Sequence, residues 1–126
     1  MLQKIQQTSR VLIVGINPST AKKGWSTTWS RLPKWADYLG LDVFSFTNCI
    51  HSQGKYSLKS VDYDMLRECV RGYKRVVALG NFPSAALSRC GIDHFTLPHP
   101  SGLNRKLNDK LYELEQLDLC RKYIYG

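Results

Sequence analysis

Apolar positions along the chain fall into short, β-branched runs separated by stretches with helical spacing. RVLIVGI, Arg10 to Ile16, is apolar without alternation, the pattern of a strand covered on both faces. A loop rich in Gly, Ser, Thr and Pro follows, then a helix predicted from about Thr28 to Leu39 with Gly40 as its C-cap. DVFSFTN, Asp42 to Asn48, reads as a second strand. VDYDMLRECVRGY reads as a helix through Met65, Leu66, Cys69 and Val70. RVVALG, Arg75 to Gly80, is a third buried strand. The short helix FPSAALSRC, the strand DHFTLP and the closing helix NRKLNDKLYELEQLDL complete the pattern. In that last helix Leu107, Leu111, Leu114 and Leu117 are expected on one buried face.

Strands alternating with helices predict the α/β class: a three-layer α/β/α sandwich around a central four-stranded parallel sheet, with right-handed crossovers. The 126 residues suit one domain spanning 1–126. In such sheets ligands bind beyond the carboxyl ends of the strands, near a topological switch point. The loops after Ile16, Phe46, Leu79 and Leu97 are therefore where chemistry is expected.

Composition refines this in three ways. No apolar run approaches the roughly 18 residues of a membrane span, and MLQKIQQTSR lacks a signal peptide's apolar stretch, so a cytoplasmic protein without membrane partners is expected. Cys49, Cys69, Cys90 and Cys120 lie far apart with no Cys-x-x-Cys pair; they are expected to pack, and neither a metal nor another cofactor is expected. Eighteen Lys and Arg against ten Asp and Glu give a net charge of +8, which suits a polyanionic partner. Trp25, Trp29 and Trp35 share their stretch with Lys22, Lys23, Arg31 and Lys34, a composition that tips the partner toward nucleic acid.

The expected strand ends carry amides, hydroxyls and one imidazole. Asn17-Pro18-Ser19-Thr20 follows the first strand, Thr47-Asn48 ends the second, Gly80-Asn81 the third, and Pro98-His99-Pro100-Ser101-Gly102 the fourth. Asn48 offers both a donor and an acceptor, suited either to the amide edge of a pyrimidine or to its own loop's backbone. His99, held between two prolines, suits either a structural role or donation to an oxygen gaining charge during reaction. His94 reads as a strand residue, and His51, just beyond Asn48, as a second imidazole near the cleft. GINPST lacks the second glycine and the Lys-Ser/Thr pair of a phosphate-binding loop; HExxH and Gly-x-Ser-x-Gly are absent.

VLIVGINPS, FSFTN, VVALG and LPHPSGLNR stand in the same order as the motifs of the uracil-DNA glycosylase superfamily, which the chain resembles from about Val11 to Leu107. GINP with PSGLNR looks most like the mismatch-specific uracil/thymine branch; FTN, VVALG and HPS look more like the branch that carries an iron–sulfur cluster. The resemblance implies a monofunctional DNA glycosylase, a hydrolase of base excision and DNA repair that flips out uracil or a 5-substituted or mismatched pyrimidine. It implies that Asn17 positions water and that His99 hydrogen-bonds the departing base. It also implies that Ile16, Trp25 (or Trp29) and Asn48 bind the base. Leu103 with Arg105 would enter the duplex, and Ser19, Ser101, Gly102 and Asn104 would contact DNA.

The chain departs from the family in three places. No aspartate follows the first strand, Ser19 stands where a bulky tyrosine would exclude a 5-methyl group, and the cysteines do not follow the cluster-binding spacing. A non-hydrolytic protein that binds DNA or a modified base, or serves base modification, is the alternative that the missing aspartate raises. A nucleoside-binding protein unrelated to DNA is the third. The expected form is a monomer acting on single- or double-stranded DNA.

Overall fold

The structure, a computed structural model, describes residues 11–16, 27–41, 44–51, 55–100 and 109–126. Asn17, Ser19, Trp25, Ser101, Gly102, Leu103, Asn104, Arg105 and the Trp29 side chain lie outside what is described. The described residues form strands β1 (Val11–Gly15), β2 (Ser45–Asn48), β3 (Arg75–Leu79) and β4 (Phe95–Leu97). Between and after them run helices α1 (Thr27–Tyr38), α2 (Tyr63–Val70), α3 (Asn81–Arg89) and α4 (Lys110–Tyr125), with a 3₁₀ turn at Leu58–Ser60.

All strand pairs are parallel, in the order β2-β1-β3-β4. β1 and β3 are central, and β1 is buried along its whole length, as its unbroken apolar run predicts. Odd-numbered residues Val11, Ile13, Val77 and Leu79 face Leu32, Trp35, Ala36 and Leu39 of α1 and Leu117 and Cys120 of α4. Even-numbered Leu12, Val14, Val76 and Ala78 face Leu66 of α2 and Ala86 and Leu87 of α3. This is α/β architecture with helices on both faces of one parallel sheet. The β1-to-β2 crossover uses one face, while the two crossovers moving the other way use the opposite face. All three therefore share one hand, as parallel sheets require.

Local signals account for most boundaries. α1 ends at the expected glycine: Gly40 (φ +74°) donates its N–H to Asp37 O and Leu41 donates to Ala36 O, the paired bonds of a Schellman cap. The Asp62 carboxylate accepts from Met65 N–H and opens α2. The second strand is shorter than its Asp42 start predicts: Phe44 is not in the ladder, and β2 begins at Ser45.

The last helix corrects two expectations. It begins at Lys110, because the Asp109 carboxylate accepts from Leu111 and Tyr112 N–H and caps the helix there. Its buried stripe is Leu117 and Cys120, with Tyr112, Tyr123 and Ile124 packed beside them, while Leu111 is 77 % exposed and Leu114 is exposed as well. Polar contacts with α1 set this rotation. Trp35 Nε1 donates to Glu113 (3.4 Å), Tyr38 Oη to Asp118 (2.6 Å), and Tyr125 Oη to Leu39 O (2.7 Å). Trp35 is therefore a core residue on α1's buried stripe, not part of a basic aromatic surface. Among the described residues no helix is long and apolar enough to cross a membrane.

Candidate active site

The sheet brings two of the expected site residues to its carboxyl end by one device used twice. Gly15 ends β1 and pairs with Asn48, the last residue of β2. A Cβ on Gly15 would lie 2.8 Å from Asn48 Oδ1 and 2.9 Å from Phe46 Cζ. Only a residue without a side chain lets the Asn48 carboxamide and the Phe46 ring lean over the end of β1. Asn48 is held there by the backbone beyond it, since Cys49 N–H donates to Gly15 O and Ile50 N–H to Ile16 O, both at 2.9 Å. Ile16, expected to bind base, thus has its carbonyl engaged in extending the β1–β2 ladder.

The second half mirrors the first. Gly80 follows β3 with φ +99°, a conformation that L side chains rarely adopt, and donates its N–H to Leu97 O at 2.8 Å. A Cβ there would lie 3.1 Å from His99 Cβ and 3.5 Å from His99 Cδ2. His99 therefore leans from the outer strand β4 over the end of β3, half-buried, with Pro100 fully buried behind it. Burial holds the His99 imidazole below its ordinary value of 6.5, so the ring is neutral at pH 7.

Gly15 and Gly80 end neighbouring central strands whose axes run about 5 Å apart. The Val14–Ala78 register sets Gly80 one residue further along than Gly15. Asn48 thus lies against the end of β1 and His99 against the residue after β3, on either side of the β1/β3 switch point, where crossovers leave to opposite faces and sheets of this kind bind ligands. Together they bring an amide donor, an amide acceptor and a neutral imidazole to the carboxyl end of the sheet.

The electrostatics of this end follow from the sequence placed on the topology. Residues 17–26, 49–57 and 98–108, which follow β1, β2 and β4, contain no Asp or Glu, but carry Lys22, Lys23, Lys55, Arg105 and Lys106. Nothing acidic follows β3 until Asp93. The segments leaving these strands are thus basic, and the first carboxylates met after β2, β3 and β4 are Asp62, Asp93 and Asp109, of which Asp62 and Asp109 cap helices.

The other two histidines are engaged elsewhere. His51 is exposed, with Nε2 3.0 Å from Met65 Sδ on α2. His94 precedes β4 rather than lying in it: its Nδ1 donates to Ile92 O (2.8 Å), and its Nε2 accepts from Ser84 Oγ (2.7 Å). Cys49 and Cys120 are buried, and burial pushes both thiols up to about 12, which keeps them protonated packing groups. Among the described residues no three His, Cys, Asp or Glu side chains converge as a metal site. Sequence reasoning missed the parts played by Gly15 and Gly80, although a glycine closing each of two buried strands was the available signal.

Fold and site together define a doubly wound parallel α/β protein with Asn48 and His99 at the carboxyl end of its sheet. Compared with known protein families, with curated proteins and with solved structures, the chain matches none.

Proposed function

We propose that the chain is a DNA glycosylase of the uracil-DNA glycosylase type, which takes an extruded uracil or a 5-substituted or mismatched pyrimidine into this site and hydrolyses its N-glycosidic bond. The observation that supports this reading is the placement of Asn48 against Gly15 and of His99 against Gly80, at the carboxyl ends of the two central strands. Asn48 reads the amide edge of the base through its paired donor and acceptor. As the bond from the sugar C1′ to the base nitrogen breaks, the electron pair leaves with the base and charge grows on its carbonyl oxygen. His99, neutral and fixed, donates a hydrogen bond to that oxygen without having to give up its proton. A preorganised donor of this kind is worth about 3–4 kcal/mol. Water adds to C1′ and its proton passes to solvent, leaving an abasic sugar and the free base.

The motif resemblance supplies the remaining roles. Asn17 positions the water, Trp25 stacks on the base, and Leu103 with Arg105 enters the duplex to offset an extrusion cost of a few kcal/mol. Lys22, Lys23, Arg105 and Lys106 give the DNA strand its counter-charge.

The test is a panel of oligonucleotides containing uracil, mismatched thymine or 5-substituted pyrimidines, with the released base detected by mass. Alkali-labile abasic sites are expected with the wild type, with loss in Asn17→Ala and a strong reduction in Asn48→Ala and His99→Ala. Release from no member of the panel overturns hydrolysis.

One observation favours a second reading, a protein that binds DNA or a modified base without hydrolysing it: no Asp or Glu stands in residues 17–26 after β1 to activate water. Tight, salt-dependent DNA binding without turnover is its signature.

A further inference from the structure

A second, aromatic feature sits at the same end of the sheet. Tyr56, in the segment after β2, packs edge-to-face on Phe82 in the first turn of α3, with centroids 4.7 Å apart and planes at 72°. Phe82 is half-buried and rooted in the core on the α2/α3 face. Tyr56 is 49 % exposed, and among the described residues its ring contact with Phe82 is its one partner. Phe82 lies two residues beyond Gly80, the glycine under His99, which sets the pair at the same end of the sheet as His99, on the α3 side. Lys55, exposed, stands next to Tyr56 in an acid-free segment.

An aromatic ring braced by an edge-type contact and half-exposed to water is a surface that a planar ligand can cover. One ring flanked by Lys55 and Ser57 is too small and too polar in its surroundings for an apolar protein contact, and its size matches a single base. The cation beside it suits a phosphate.

We propose that Tyr56, braced by Phe82, is a stacking platform for an unpaired nucleobase of a single strand, with Lys55 placed against the adjoining phosphate. This rests on the reading of the Asn48 and His99 end as a nucleobase site and adds a strand preference to it. Every base has a π-face, so the platform is tolerant of sequence. A base within a duplex already has both faces covered by its neighbours, so the platform strengthens binding only where the strand is open.

Fluorescence anisotropy with labelled oligothymidine and a blunt duplex of equal length tests this on the whole chain. Tyr56→Ala and Tyr56→Leu are each expected to weaken single-strand binding by about five-fold or more, the loss of one stacked base. The same variants should change duplex binding by less than about two-fold, while Tyr56→Trp retains single-strand affinity. Tyr56→Leu keeps apolar bulk without a planar face, so it separates stacking from packing, and it serves alone if Tyr56→Ala does not fold. The platform is overturned if the Leu variant binds single strands like the wild type, if both DNA forms weaken equally, or if Trp fails as Leu does. A wild-type chain that releases base from duplex yet has no single-strand affinity overturns the platform alone. Tyr56-dependent binding without base release leaves the platform standing and removes the hydrolytic reading.

Discussion

Gly15→Ala tests whether the site depends on the glycine cradle. Gly15 is not among the glycines with positive φ, so alanine is compatible with its backbone and the effect is steric alone. The new methyl would stand 2.8 Å from Asn48 Oδ1 and 2.9 Å from Phe46 Cζ, closer than real Cβ contacts come. Phe46 packs against the α1/α4 core, and the backbone beyond Asn48 is held by the Cys49 and Ile50 N–H bonds, so the shift falls on the Asn48 carboxamide. Overpacking of this kind costs about 1–3 kcal/mol. For a chain of this size that is a fall in Tm of roughly 4 °C per kcal/mol. The loss should be smaller in Gly15→Ala with Phe46→Leu than the two single changes add to, because the shorter side chain makes room for the methyl. Base release or base affinity should fall further than stability does, since Asn48 is displaced from the position it needs. Thermal melts and a base-release assay on the four proteins of the cycle measure both effects. An alanine variant as stable and as active as the wild type would refute the cradle.

Three further outcomes follow from the geometry. His99 has its folded-state value below the unfolded 6.5, so its contribution to stability is present above pH 6.5 and is lost as pH falls toward the folded value; wild type should lose more Tm between pH 7.5 and 5.5 than His99→Gln does. On α4, Leu117→Ala should cost about 2–5 kcal/mol, whereas Leu111→Ala should stay within about 0.5 kcal/mol, as urea melts would read directly. Asp109→Ala removes the acceptor for Leu111 and Tyr112 N–H and should cost about 1 kcal/mol by the same melts.

The parts of the fold legible in the sequence are those where local chemistry and tertiary demand agree. VLIV and RVVAL are β-branched runs with no polar alternation, and they form the two central strands. Gly40 closes α1 because a left-handed turn was needed where the one glycine stood. α4 was misread because the chain offers two helical stripes. Leu111 and Leu114 continue one that starts at Leu107; Glu113, Leu117, Cys120 and Ile124 form the other. Apolarity favours the first, but the indole N–H of Trp35 needs an acceptor and Glu113 supplies it, so the helix turns its second stripe inward. Trp35 itself looked like surface because Lys34 stands next to it, while its partners Leu32, Ala36 and Leu39 lie at helical spacing on the buried side. In the site, Asn48 and His99 were visible as polar residues at strand ends. What is not visible is which strand end each leans against, because strand order and cross-strand approach are not written in local pattern.

The cradles explain how the pair is held against the sheet. Strand side chains stand roughly perpendicular to the sheet, so reaching across to a neighbouring strand needs space at that strand's end. Here Gly15 ends β1 and Gly80 follows β3, and Asn48 at the end of β2 and His99 two residues beyond β4 occupy the space. Each of the two contacts is made against the β1–β3 pair, the most buried part of the molecule. Burial also keeps His99 uncharged. Under the proposed function, a neutral imidazole suits a heterocycle that becomes anionic as it leaves, since the donor stabilises the growing charge without losing its own proton.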